Sequence, residues 1–230
     1  MPANILIVDD EKEIADLVEL YLRNEGYDVS KFYSPVEALK YLDMNTPDLA
    51  ILDVMMPEID GFELCRRIRS FHNYPIIMLT AKVEDIDKIT GLTIGADDYV
   101  TKPFNPLEVV ARVKAQLRRV QRYNSHKDAP EDIIDFDGLI INRKTHECTY
   151  NEQEINLTPT EFSILWFLCE NRGQVISSER LFETIWGEKY FNNNNTVMVH
   201  IRHIREKMNE PAGNPKIIKT VWGVGYKVES

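Results

Sequence analysis

Through the first half of the chain, short apolar runs alternate with segments whose apolar residues recur at helical spacing. "NILIV" (4–8) reads as a buried strand, and Ile14, Leu17, Val18, Tyr21 and Leu22 then mark one face of a helix that Gly26 stops. The alternation continues with strand "YDVSKF", helix "PVEALKYLD", strand "DLAILD" (48–53), a helix from Gly61 to Phe71 and strand "PIIMLT" (75–80). A helix across 84–95, a short strand "DYVT" (98–101) and a helix from Pro106 to about Arg122 complete it. Five strand–helix units with short loops predict an α/β domain, a five-stranded parallel doubly wound sheet with helices on both faces. Ligands of such sheets bind at the carboxyl ends of the strands, which here carry Asp9 and Asp10, Asp53, Thr80 and Lys102.

The pattern then changes. Residues 123–132 are polar and aperiodic, which reads as a linker between a domain at 1–122 and a second at 133–230. Strand-like pieces "IIDFDGLIIN" and "HECTYNEQEINL" follow, with a turn near Asn151. "TPTEFSILWFLCENRG" opens as a helix, with Thr158 as N-cap, Pro159 in the first turn and Glu161 three residues on, and Gly173 ends it. "SSERLFETIWG" is a second short helix, capped by serine and stopped by Gly187, and 195–208 is a third. "KIIKTVWGVGYKVE" closes as a hairpin around Gly223–Gly225, so the second domain is predicted to be α+β.

Composition sets outer limits. With 230 residues, 43% of them hydrophobic, the chain can form one large domain or two ordinary ones, either with a proper core, and its apolar runs are too short to span a bilayer. "MPANILIVDDE" lacks the basic and extended apolar regions of a signal peptide. Cys65, Cys148 and Cys169 are odd in number and scattered, which points to reduced thiols in the cytoplasm. The net charge of −10 argues against a polyanionic partner until its distribution is read. Residues 1–122 hold 15 basic and 21 acidic side chains and 131–188 hold 4 and 12, whereas 189–228 hold 7 and 2. Only that last stretch can present a positive face to nucleic acid.

Asp9, Asp10 and Asp53 come from strand ends that adjacent strands would bring together. Carboxylates held that close repel, and burial worsens the repulsion. Oxygen ligation favours Mg²⁺ or Mn²⁺ over zinc, and a carboxylate beside such an ion can attack phosphorus to give an acyl phosphate. The alternative is that Asp9 and Asp10 cap the first helix and Asp53 caps a turn. Lys102 can reach a phosphoryl oxygen, Lys102–Pro103 is a candidate cis bond in a functional turn, and Thr80 offers a hydroxyl.

With "VDDE" (8–11), "DVMMPEIDG" (53–61), "MLTA" (78–81) and "GADDYVTKPF" (95–104), residues 1–122 resemble a response-regulator receiver domain. The resemblance implies that Asp53 accepts a phosphoryl group from a sensor histidine kinase. It implies Mg²⁺ held by Asp10, Asp53 and the backbone carbonyl of Met55, with Asp9 acting through water. Lys102 would pair with the phosphoryl group, and Thr80 and Tyr99 would form the switch. No turnover of a separate substrate is expected, which sets this reading against a Mg²⁺-dependent phosphohydrolase with Asp53 as nucleophile. Met55 and Lys82 flank the site, and since methionine cannot orient a water, the aspartyl phosphate is expected to outlast seconds.

Residues 133–229 resemble the winged helix-turn-helix effector of the OmpR/PhoB subfamily, through "LTPTEFSILWFL", "RLFETIWG", "NNTVMVHIRHIREKM" and "TVWGVGYK". "ADLVELYL", "DKITGLTIGADDY" and "KTVWGVGYK" are closest in wording to the VanR-type regulators of glycopeptide resistance. On this resemblance, Lys88, Ile89, Leu92, Asp97, Asp98, Glu108, Val110, Arg112 and Lys114 form a two-fold dimer surface that assembles on phosphorylation. Its cross-subunit pairs would be Lys88–Glu108, Asp98–Arg112 and Asp97–Lys114. In the helix 195–208, Val197, Ile201, Ile204 and Met208 form an apolar stripe. Asn195, Thr196, His200, Arg202, His203 and Arg205 would face double-stranded promoter DNA, joined by Lys216, Lys219 and Thr220 of the hairpin. His200 and His203 read as facing DNA rather than metal, with no third ligand at hand. Trp222 stands at the wing tip, where some members of the subfamily present arginine, and cannot make a charged minor-groove contact. RNA polymerase is a further candidate partner, and no membrane contact is expected. The rival is a constitutive DNA-binding protein whose receiver is only a dimerisation scaffold.

Overall fold

Five parallel strands form the first sheet: β1 (Asn4–Val8), β2 (Asp28–Phe32), β3 (Leu49–Asp53), β4 (Ile76–Ala81) and β5 (Asp98–Lys102), in the order β2-β1-β3-β4-β5. The computed structural model describes residues 2–81, 95–124, 132–187, 196–211 and 213–229. Four described helices accompany this sheet: α1 (Lys12–Asn24), α2 (Pro35–Leu42), α3 (Gly61–Arg69) and α4 (Pro106–Asn124). Their division between the two faces explains why the inner strands β1, β3 and β4 are apolar at almost every position. Ile5, Ile7, Ile51 and Val100 belong to one core with Val18 and Leu22 of α1 and Val109 and Val113 of α4. Leu6, Val8, Leu52 and Met78 belong to the other, with Ala38 of α2 and Leu64 and Ile68 of α3. The helix expected across 84–95 falls almost wholly outside the described residues, as do Lys82, Lys88, Ile89 and Leu92.

Strand order turns at β1, the position where ligands enter such sheets. The register sets Val8 beside Leu52, Asp53 beside Leu79 and Thr80 beside Thr101. The residues that follow β1 and end β3 therefore lie next to each other at the carboxyl edge.

The chain divides into two compact units, Met1–Leu117 and Arg118–Ser230, so the boundary lies inside α4. In the second unit, β6 (Ile133–Phe136), β7 (Leu139–Asn142), β8 (Glu147–Tyr150) and β9 (Gln153–Glu154) form an antiparallel sheet in chain order. Helices α5 (Pro159–Glu170), α6 (Ser178–Trp186) and α7 (Thr196–Lys207) follow, and β10 (Ile218–Val221) pairs with β11 (Gly225–Val228) as the closing hairpin. The capping box of α5 is present: the Glu161 amide donates to Thr158 Oγ1 at 3.4 Å and the Thr158 amide donates to Glu161 Oε2 at 2.8 Å. The hairpin is tied back by Ile176 and Tyr226, whose amides each donate to the other's carbonyl at 2.8 and 2.9 Å. Gly225 makes this approach feasible, since a Cβ there would lie 2.0 Å from the Ile176 carbonyl oxygen. All three cysteines are buried and free, and among the described residues no helix is long and apolar enough to cross a membrane.

Candidate functional site

Helix α1 begins with Glu11 in the N-cap position and receives no side-chain capping bond, so neither Asp9 nor Asp10 is a helix cap. Asp9 instead accepts the Glu11 amide through Oδ1 at 3.0 Å, and Asp53 accepts the Met55 amide through Oδ2 at 3.0 Å. Those turns aim the remaining oxygens at Lys102, whose Nζ lies 3.0 Å from Asp9 Oδ2 and 2.8 Å from Asp53 Oδ1. Lys102 also donates to Glu11 Oε1 at 2.9 Å, a partner that the motifs had not suggested. The Lys102–Pro103 peptide bond is cis. One oxygen from each of Asp9, Asp10 and Asp53 lies within 4.8 Å of the other two. Thr80 is buried, with its hydroxyl donating to the Ala81 carbonyl at 3.1 Å.

The electrostatics of this cluster are those of a site short of positive charge. One lysine cannot balance three carboxylates and Glu11. Burial pushes the Asp9 carboxyl up to about 6, against the pull of the Lys102 hydrogen bond and with a further push from Asp53. Burial likewise raises Asp53, again opposed by Lys102. For Lys102, burial disfavours the ammonium, but hydrogen bonds to Asp53, Glu11 and Asp9 outweigh it and hold the group above its usual range. Asp10 Oδ1 is buried and has no hydrogen-bond partner. An all-oxygen donor set with such an orphaned acceptor fits a hard divalent cation such as Mg²⁺ or Mn²⁺.

A pH prediction follows. Because the folded pKa of Asp9 lies above the ordinary aspartate value of about 3.9, the folded receiver holds a proton that the unfolded chain releases. That contribution is complete below about pH 4 and disappears as the pH rises through about 6. Asp9→Asn removes the penalty of a buried charge. Without divalent ions, the variant should be more stable than wild type by roughly 2–3 kcal/mol at pH 8, with the gap closing towards pH 4. Urea unfolding of the two proteins across this range checks it.

Tyr99 is half-buried against the core on the α3 side. Of the expected dimer surface, Asp97, Asp98 and Val110 are buried. Asp97 is 0% exposed, accepts the Ile76 amide at 3.0 Å and pairs with Arg69 at 2.7 Å, so it cannot reach Lys114 of a second copy. Successive residues entering a strand point to opposite faces, and Asp97 takes the α3 side while Asp98 takes the α4 side. Val110 is buried in the core between the sheet and α4 rather than displayed. Asp98 and Arg112 do meet, but within one chain, at 3.0 Å. Arg112 also holds Glu108 at 2.9 Å, and Lys114 pairs with Glu25 of its own chain at 2.6 Å. Leu107, which the sequence reading passed over, is 57% exposed beside Glu108.

The second site also needs correction. Helix α7 packs on both α5 and α6, so its buried arc is wider than the Val197–Met208 stripe. Thr196, His200 (1% exposed) and His203 (7% exposed) all lie inside it and cannot face DNA as expected. Arg202 is exposed, with Met198 one turn before it and Glu206 one turn after, the latter 2.7 Å from its guanidinium. Arg205 turns to the hairpin, donating to the Ile218 carbonyl and to Thr220 Oγ1, both at 2.8 Å. It therefore locks the wing to the helix and engages Thr220 in doing so. Lys216 is exposed, Lys219 donates to the Pro215 carbonyl at 2.6 Å, and Trp222 is 90% exposed at the wing tip. Asn195 lies outside the described residues.

Comparison with known proteins agrees with both halves. The family described as "Response regulator receiver domain" matches residues 5–114, and that described as "Transcriptional regulatory protein, C terminal" matches 152–228. The chain is 62% identical over 230 residues to the regulatory protein VanR of Enterococcus faecium, covering 100% of each. It is 58% identical over 231 residues to the regulatory protein VanRc of Enterococcus gallinarum, again covering 100% of each. Among solved structures, the response regulator DrrB, a Thermotoga maritima OmpR/PhoB homologue, matches with 35% identity and a TM-score of 0.53 over 100% of both chains.

Proposed function

The chain belongs to the OmpR/PhoB-type response regulators and, among them, to the VanR type, and from that premise we propose that phosphorylation of Asp53 switches its binding to promoter DNA. One observation carries the reading: three carboxylates converge at the switch point of the sheet with Lys102 on two of them and Thr80 at the neighbouring strand end. An oxygen of Asp53 attacks the phosphorus of a kinase phosphohistidine. The P–N bond breaks, its electron pair leaves with the imidazole, and an acyl phosphate forms on Asp53. Asp10, Asp53 and the Met55 carbonyl would hold Mg²⁺, with Asp9 acting through water, and the ion would offset the negative charge of the carboxylates and the incoming group. Lys102 is placed to pair with the phosphoryl oxygens. The group carries about two negative charges, which draws the Thr80 hydroxyl from the Ala81 carbonyl and gives Tyr99 room to turn.

The dimer surface is the α4 face, where Leu107, Glu108 and Lys114 are exposed and Arg112 can exchange its internal partners for those of a second copy. Pairing two copies raises the effective concentration of their winged helices at paired half-sites. Each copy offers Arg202 and Lys216 to phosphates or base edges, with Trp222 at the wing tip. Target genes would include those for glycopeptide resistance, the protein would act in the cytoplasm, and it would turn over no separate substrate. Acetyl phosphate, in place of the kinase, tests the chemistry. Intact-mass measurement should show one phosphoryl adduct that requires Mg²⁺ and is absent from Asp53→Asn. An adduct retained by the variant contradicts the assignment.

A further inference from the structure

His200 and His203, which the DNA face releases, meet a third group that sequence spacing could not reveal. Glu161 in the first turn of α5 and the two histidines on α7 are all buried, and one ligand atom from each lies within 4.8 Å of the other two. Residues three apart share one face of a helix, so the two rings project towards α5 together. Glu161 Oε2 is occupied, accepting the Thr158 amide at 2.8 Å and the Lys207 ammonium at 2.7 Å. Its Oε1 stands 3.6 Å from His203 Nδ1, beyond hydrogen-bond reach. His203 Nε2 is buried and has no hydrogen-bond partner, an arrangement that is costly in a protein interior unless something else binds there.

We propose that Glu161, His200 and His203 form a site for a borderline divalent transition ion of the Zn²⁺ class. Two imidazoles and one carboxylate are a donor set for such an ion and disfavour Mg²⁺, which takes oxygen ligands. The ion would tie the first turn of α5 to α7, the helix that carries Arg202. Lys207 is the competitor, since its ammonium already satisfies part of the Glu161 charge. Its side chain is 34% exposed and can swing into water when a cation arrives. The site lies in the second unit and does not depend on the phosphoryl reading of the first.

Co²⁺ is the probe, added to the full chain after chelator treatment and in excess Mg²⁺ to compete at the receiver carboxylates. Binding should produce the visible absorption of a nitrogen- and oxygen-ligated Co²⁺. It should also quench tryptophan emission, because the Trp186 ring lies 5.6 Å from that of His200. His203→Gln should weaken binding by at least about tenfold, and Glu161→Gln should do the same. Lys207→Gln removes the competing ammonium and, in protein whose circular dichroism matches wild type, should tighten it. Wild-type protein that takes up no Co²⁺ under these conditions overturns the proposal, as does an affinity unchanged by Lys207→Gln or by folded His203→Gln.

Discussion

Replacing Lys102 with alanine should destabilise the receiver by about 3–5 kcal/mol at neutral pH without divalent ions. The lysine is the counter-charge for two carboxylates that are almost entirely out of water, at 3.0 Å from Asp9 and 2.8 Å from Asp53. Removing it leaves both buried and uncompensated, and the alanine supplies no donor to either. Two features make the result diagnostic. Acidification towards pH 5 should recover part of the loss, because Asp9 takes a proton more easily still once its cation is gone. Mg²⁺ should stabilise the variant more than wild type, since an ion then does what the lysine did. Trp166, Trp186 and Trp222 all lie in the second unit, so their emission follows that unit alone while far-ultraviolet circular dichroism sees both. The predicted signature is an early circular-dichroism transition with unchanged tryptophan emission. Equal stability of variant and wild type would mean that the carboxylates are not charged in the folded state.

Gly61→Ala should damage the same site through the backbone. Gly61 opens α3 immediately after the loop that leaves Asp53, and its amide donates to the Val54 carbonyl at 3.0 Å. A Cβ there would lie 2.0 Å from the Asp53 carbonyl oxygen and 2.9 Å from Val54 Cα. Backbone atoms at that distance cannot rotate away as a side chain can, so either α3 or the end of β3 must shift. A loss of about 3 kcal/mol or more is expected in urea unfolding, together with slower phosphoryl uptake from acetyl phosphate because Asp53 moves with its own carbonyl. A variant of wild-type stability would show that the loop opens without cost.

These two cases also show why some features can be read from the chain and others cannot. The parallel sheet was legible because its inner strands β1, β3 and β4, covered on both faces, are apolar almost throughout, which makes an aspartate at the end of β3 conspicuous. Gly61 is legible as part of a motif, yet its reason, contact with the Asp53 carbonyl, exists only in the folded loop. Glu11 as a partner of Lys102 was missed because the two are 91 residues apart and an acidic residue before a helix has an ordinary local explanation. Asp97 and Asp98 form a doublet at the start of a strand. Both are buried, and which of them takes the α3 side and which the α4 side depends on the pairing of β5 with β4, information that periodicity does not carry. The error at His200 and His203 came from equating polarity with exposure. Their helix packs against two others, and its buried arc takes in polar residues that gather beside the buried Glu161 of α5.

Coupling between Asp53 and DNA is the centre of the account, and one experiment addresses it most directly. The oligomeric state and the affinity for a VanR-type promoter fragment are measured at fixed salt, before and after acetyl phosphate and Mg²⁺, with Asp53→Ala alongside. The account predicts that treated wild-type protein shifts from monomer to dimer and binds the fragment more tightly, while the variant does neither. If wild type and variant bind alike and neither changes with treatment, the receiver is a passive scaffold and its acid cluster serves another purpose.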